Sequence, residues 1–398
     1  MSWRITNDCT IYREKGWYAA HPNIVRAPNG DLLALFHRCP DTGSVNHWHP
    51  LFDVRACRSR DEGRMWEEQR LVTADPLGGV MDFGTHTLPD GTIFLHASTV
   101  ALLPTEETRQ EDHGLTWQAV PGIPFWVRSR DHGVTWSDPV RFPPLPDAVN
   151  GAPALHSGVC RSGLALLPDG RLLMPSKATD NPGGGMPFFG MLRISRDMGA
   201  SWDYGGRITH DPATHFSEPA IIRTAAGRLL VLFRCHAQNP ADPEGGTYLA
   251  RVVSDDDGRT WSPWRHTTIR GVNAHLLRLR DGRILVTVCT RHAGQMGCTA
   301  RVLNPEGDDL DTVADIVVRG DSSSTDCGYP WAVELADGRV LIIYYYAYPD
   351  GSRGIEGTVL EERRDRRKSA ATMNIHSDNR SGSGLLPHVV QRRGAGET

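Results

Sequence analysis

Along the 398-residue chain, branched-aliphatic runs come in pairs around a tight polar turn, and the pairing recurs six times. The stretches are RAPNGDLLALFHR (26–38), TLPDGTIFLHAS (87–98), LLPDGRLLMPSK (166–177), IRTAAGRLLVLFR (222–234), LRLRDGRILVTV (277–288) and VELADGRVLIIYYY (333–346). Asn-Gly and Asp-Gly between such runs read as hairpins, because glycine accepts the positive φ that these turns require. The turn glycines Gly30, Gly91, Gly170, Gly227, Gly282 and Gly338 are separated by 61, 79, 57, 55 and 56 residues. A period of that length, filled with strands and lacking a sustained helical pattern, predicts an all-β six-bladed β-propeller of four-stranded antiparallel blades. GIEGTVLEE (354–362) offers one more strand to the last blade, and the N-terminal stretch WRITNDCTIYRE is expected to supply its outer strand and close the ring.

A second pattern, serine-x-aspartate-x-glycine-x-x-tryptophan, occurs at 59–66, 129–136, 195–202 and 254–261, late in blades one to four. An aspartate side chain can hydrogen-bond the turn backbone and a tryptophan can fill the gap between sheets. These segments therefore read as a folding device and not as catalytic machinery. QEDHGLTW (110–117) lacks the serine and lies in the longest interval, so blade two carries an insertion around residues 99–126. Blades five and six show no clear box. The propeller is expected over residues 1–362, followed by a polar, basic tail over 363–398 in which Arg364, Arg366, Arg367 and Lys368 form a solvated charge run.

Composition narrows the function classes. A formal net charge of -4, with 23% charged residues, gives no global attraction to nucleic acid or an anionic membrane. No apolar run approaches the roughly 18 residues of a spanning helix, and the N-terminal stretch has no apolar signal core. The eight cysteines form no CxxC and lie mostly in apolar, strand-like stretches, as buried free thiols in a reducing compartment would; the expected location is cytoplasmic. The charge and pattern are silent on oligomeric state.

If the hairpins are equivalent, a fixed offset from each turn glycine marks one height in the ring. Nine residues before the turn stand His21, Asp82, Arg161, Glu218, Asn273 and Tyr329, each with a polar group. One polar side chain per blade at the start of the innermost strand reads as an axial pocket, since buried polar groups need partners. Seven residues after the turn come His37, Ser98, Lys177, Arg234, Cys289 and Tyr345, with Arg291 two positions past Cys289. Arg161, Lys177, Arg234 and Arg291 form a candidate cationic wall able to grip a carboxylate. Glu218 and Tyr329 carry the clearest chemistry: a carboxylate that accepts the phenolic proton turns a poor nucleophile into one able to attack an anomeric centre. His47, Trp48 and His49 combine a sugar-stacking ring with adjacent acids or bases, and His275 lies seven residues before its turn. No HExxH or comparably tight spacing occurs, so neither metal nor cofactor is expected.

At this point the chain resembles the sialidase superfamily of six-bladed propellers with Asp-box repeats, over about residues 17–360. FSEPAIIRTAAGRLLVLFR (216–234) is similar to the family segment with the general-base glutamate, here Glu218, and a carboxylate-binding arginine, here Arg234. DCGYPWAVELADGRVLIIYY (326–345) is similar to the segment with the nucleophilic tyrosine, here Tyr329. The chain departs from the family where His21-Pro22-Asn23 stands in place of an arginine-led segment. It departs again where the acid/base aspartate is expected, near His47, Trp48 and His49. The resemblance implies an exo-glycoside hydrolase acting on a terminal acidic or related sugar. Candidate catalytic residues are Tyr329, Glu218, His49 and Asp82; candidate binding residues are Arg234, Arg161, His21, Arg291, Lys177, Asn273, Trp48 and His275. A lyase using a histidine and a tyrosine for β-elimination, and a non-catalytic glycan-binding propeller, stand as alternatives. In each case the expected partner is a small sugar or oligosaccharide.

Overall fold

A computed structural model of the protein describes residues 2–43, 49–75, 78–104, 117–145, 156–158, 161, 163–179, 187–242 and 245–363. The chain divides into a unit of Met1–Arg4 with Glu362–Thr398, and a unit Ile5–Glu361 that carries the blades. Of the tail, only Arg363 falls within the described residues.

Six antiparallel sheets follow one another in the predicted order. Blade one comprises Trp17–Arg26, Leu32–Pro40, Asp53–Ser59 and Arg70–Ala74. Blade two comprises Gly79–Thr87, Ile93–Pro104, Trp117–Ser129 and Val140–Arg141. In blade three, His156–Gly158 and Ala165–Leu166 both pair with Leu172–Thr179, followed by Phe189–Ser195 and Asp203–Thr209. Blade four runs Phe216–Arg223, Leu229–Cys235, Tyr248–Ser254 and Arg265–Arg270. Blade five runs Ala274–Arg278, Ile284–His292, Gln295–Leu303 and Ile316–Arg319. Blade six has Gly328–Glu334, Val340–Ala347 and Arg353–Arg363, and its outermost strand is the N-terminal Ser2–Tyr12. The expected closure of the ring is thus present.

Burial explains why the aliphatic runs are continuous and not alternating. The second strand of each blade lies between neighbouring sheets, and Val340–Ala347 is buried at every position. Val25, Leu33 and Leu35 of blade one interlock with Val80, Phe83 and Leu95 of blade two. Outer strands such as Arg265–Arg270 alternate, because one face meets solvent.

The four boxes are turns tied by their own side chains. In the third, Ser195 Oγ donates to Asp197 Oδ1 at 2.8 Å and accepts from Gly199 N at 2.8 Å, while Asp197 accepts from Ser201 N and Ser201 Oγ. The residue before each box glycine takes a positive φ: Glu62, His132, Met198 and Asp257, between 53° and 64°. Each box glycine seats against the preceding blade; at Gly133 even a single Cβ would collide with Leu33 Cδ1. Blade five replaces the box with Asn304, whose Oδ1 accepts from Glu306 N and Gly307 N. The insertion in blade two continues its central hairpin, which pairs from Ile93↔Ser129 out to Pro104↔Trp117.

Candidate active site

The polar position nine residues before each turn is a structural device as well as a sequence offset. In blades one, two, four and six the innermost strand carries one extra residue against its partner, between Ala20/Asn23, Met81/Gly84, Ser217/Ala220 and Gly328/Trp331. Such β-bulges re-aim a side chain out of the pleat. The first bulged residue is His21, Asp82, Glu218 or Tyr329, with φ of 51°, 52°, 48° and 53°. Blade three breaks its register more widely, between Gly158↔Lys177 and Ala165↔Leu173, and its Arg161 has φ 36°. Left-handed backbone at non-glycine residues costs on the order of 1–3 kcal/mol each and persists where the surroundings over-determine it. Blade five differs: its strand pairs without a break from Ala274↔Val288, and Asn273 is buried with its Oδ1 lacking a partner among the described residues.

These bulges bring residues from blades four and six into direct contact. The Tyr329 hydroxyl donates to Glu218 Oε1 across 111 residues of sequence, and Arg234 Nη1 donates to Glu218 Oε2 at 3.3 Å. Burial pushes the Glu218 carboxyl up, but Arg234, the Tyr329 hydrogen bond, Lys177 and Arg291 outweigh it, leaving Glu218 below the ordinary carboxylate value. Burial and the Glu218 charge raise the Tyr329 phenol well above its ordinary value, against the pull of Arg234 and Arg291. The ground state is therefore a neutral phenol on an ionised carboxylate. Gly328 is required immediately before: at φ 94° a Cβ would stand 2.5 Å from Cys289 Sγ and 2.7 Å from Gly297 O.

Arg161, Lys177, Arg234 and Arg291 each already have a partner in the chain. Arg161 is 3% exposed, and its Nη2 donates to Pro22 O at 2.9 Å and Tyr329 O at 3.0 Å, bridging the bulges of blades one and six. Its Nε and Nη1 have no hydrogen-bond partner among the described residues. Burial depresses its guanidinium to about 10, in spite of nearby Tyr329, Glu218 and Asp82. Lys177 Nζ lies 3.5 Å from Asp82 Oδ2. Arg291 donates to Cys327 O at 3.1 Å and to Tyr345 OH at 2.9 Å, 5.2 Å from the centre of the Tyr329 ring. The second rank behind it went unread in the sequence: buried Asp326 accepts from Tyr18, Tyr345 and Arg353.

His21 occupies the bulge of blade one. Its ring is 4.4 Å from that of Tyr329, and its Nδ1 is 3.3 Å from His37 Nδ1, so one imidazole donates to the other. Burial and Arg161 hold His37 at about 3. His275 stacks on Trp331 at 4.1 Å and accepts from Ala332 N, which fixes it in the strand packing. His49 accepts from Leu51 N through Nδ1 and sits 6.2 Å from the Phe52 ring. Trp48 and His47 lie outside the described residues. Sequence reasoning passed over His215 as well; its ring meets that of His236 at 3.7 Å, and burial together with His236 and Arg234 holds it near 4. Its position three residues before Glu218 was the available signal. Among the described residues, no group of three His, Cys, Asp or Glu is placed to hold a metal ion.

The model of the BNR repeat-like domain family matches residues 112–342. A crystal structure of a protein of unknown function from Dyadobacter fermentans DSM 18053 is 30% identical, spanning 91% of this chain and 99% of that one, with a TM-score of 0.80. The Hadza microbial sialidase Hz136 is 20% identical over 86% of this chain and 65% of its own, with a TM-score of 0.59. The GH93 α-L-arabinofuranosidase of Fusarium graminearum, in complex with arabinobiose, is 13% identical over 89% and 97%, with a TM-score of 0.63. The last two are likenesses of fold. No curated protein matches the sequence.

Proposed function

The chain belongs to the family of BNR repeat-like domains, and on that premise we propose that it is a sialidase-like exo-glycoside hydrolase with Tyr329 as nucleophile and Glu218 as its base. The observation that carries this reading is the hydrogen bond from the Tyr329 hydroxyl to a buried, arginine-held carboxylate. As Glu218 accepts the phenolic proton, the oxygen attacks the anomeric carbon and the bond to the leaving oxygen breaks. Asp82 or His49 gives that oxygen its proton. Water then attacks the anomeric carbon, giving its proton to the group that acted as acid, and displaces the phenolate, which regains its proton from Glu218, so the configuration is retained over two steps. Arg234 and Arg291 favour the charge that develops on the phenolate.

The substrate class follows from the surrounding charges. Arg161, Lys177, Arg234 and Arg291 supply a positive field suited to an acidic terminal sugar, whereas His21 and the prior engagement of each cation leave room for a related uncharged one. Like fold is found both in a sialidase and in an arabinofuranosidase, so both sugar types belong in the test. β-Elimination from a uronic acid is a second reading. It is favoured by the His21 ring 4.4 Å from the Tyr329 ring, with Arg161 4.9 Å from that ring's centre.

Terminal sialosides, uronides and arabinosides, followed by product mass with Tyr329→Phe beside wild type, test the assignment. Loss of turnover by about 10³-fold or more in the variant, with a glycosyl adduct trapped on Tyr329, is the expected result. An unsaturated, ultraviolet-absorbing product marks the lyase. Binding without turnover marks a glycan-binding propeller, and turnover indifferent to the substitution sinks the Tyr329 assignment.

A further inference from the structure

His215 and His236 lie just beyond the paired ends of the two strands that carry Glu218 and Arg234. The ladder there runs Ser217↔Arg234 and Phe216↔Cys235, and His236 N donates to His215 O at 3.3 Å. Side chains two residues apart share one face of a strand, so the histidine pair continues the face of Arg234 by one pleat repeat, roughly 6.5–7 Å farther from the turns. The two rings meet at 3.7 Å, and the Phe188 ring is 5.7 Å from His215. Lys177 Nζ, the partner of Asp82, is 5.1 Å from the Phe188 ring. His215 is buried, Phe188 half-buried and His236 exposed. The mechanism above uses none of these three side chains.

We propose that Phe188, His215 and His236 form a subsite for the second sugar of the substrate, the neutral ring on the leaving-group side of the cleaved bond. The inference rests on Tyr329 and Glu218 marking the cleavage point. An exo-acting site seats the terminal ring against Tyr329, and the rest of the glycan continues away from the turns. The trio stands on that side, one pleat repeat beyond Arg234, a separation that suits the next ring. Its chemistry fits an uncharged sugar: aromatic faces pack the C–H side of a ring, and uncharged imidazoles both donate to and accept from hydroxyls. The adjacent cations Arg234 and Lys177 are engaged by Glu218 and Asp82, and so do not select an acid there.

The test pairs each disaccharide of the panel with the glycosyl fluoride of the same terminal sugar, whose one-atom leaving group does not reach the subsite, using wild type, His236→Ala and His236→Phe. The exposed position of His236 leaves the core packing intact. The expected result is a KM for the disaccharide raised about tenfold in His236→Ala, partly restored in His236→Phe, with kcat/KM on the glycosyl fluoride unchanged. Equal losses on both substrates, or none on either, overturn the subsite. Calorimetric binding of the same disaccharides separates the two readings. If wild type cleaves nothing but loses disaccharide affinity on His236→Ala, the hydrolase falls and the subsite stands. If binding too is indifferent to the substitution, the subsite falls.

Discussion

Asp326 accepts a hydrogen bond from the Tyr345 hydroxyl at 2.8 Å, and through that hydroxyl it holds Arg291 beside the ring of Tyr329. The same carboxylate takes Tyr18 OH at 3.0 Å and Arg353 Nε at 3.0 Å, so it is fully enclosed by donors. Asp326→Asn removes the charge that orders them. Leaving a buried arginine without its counter-ion costs about 3–5 kcal/mol, and denaturant unfolding should show a loss on that order. If Asp326 also positions Arg291, kcat falls about tenfold at nearly constant KM in the fraction that remains folded. A purely structural role would leave kcat per folded molecule unchanged.

The boxes make the opposite prediction. Asp197 closes its turn through Ser195 and Ser201 and touches none of the bulge residues named above. Asp197→Ala should lower stability by about 1–2 kcal/mol, the range for a lost side-chain-to-backbone cap, and leave kcat/KM as it was. A large loss of activity at unchanged stability would move these aspartates from scaffold to chemistry.

Acid should weaken the fold through its enclosed histidines. His37, packed against His21, Phe52 and Phe83 and exposed to the charge of Arg161, is held at about 3 against an ordinary 6.5. Between those values the unfolded chain binds the proton and the folded chain does not. Its contribution is thus complete above pH ~6.5 and is lost as pH falls toward 3, on the order of 5 kcal/mol at most. His215, buried and held near 4, acts in the same direction with smaller effect. Urea midpoints measured between pH 4 and 7 should rise with pH, and His37→Gln should flatten that slope. An unchanged slope would show that His37 titrates as an ordinary histidine.

The turn glycines made the ring legible, because a hairpin needs only local chemistry and six of them impose a period. The offset of nine residues also carried real information: it marks the bulges of four blades and the wider register break of blade three. The bulge itself was not legible, since a left-handed Glu218 or Tyr329 violates local preference and is held there by packing. Blade five shows the limit, because Asn273 shares the offset but lies just before a strand that pairs without a bulge. Lys177 is opposite Gly158, not the residue immediately preceding Arg161, so blade three is displaced in register. Asp326 escaped notice because its meaning depends on Tyr18 and Arg353, at opposite ends of the ring's sequence. His215 escaped because a histidine before a strand looks like any loop residue until its cross-strand neighbour is known.

The outermost strand of blade six is the N-terminal Ser2–Tyr12, and Thr10 reaches Glu356 at 2.8 Å across 346 positions. During synthesis the earliest strand therefore waits, unpaired, while the five blades that separate it from its partner emerge from the ribosome. A chain that stops in blade five leaves that strand without the sheet it completes, an open edge that proteases and chaperones recognise. Closure of the ring thus waits on blade six, and a fragment lacking that blade should be cleared instead of persisting as a partial ring.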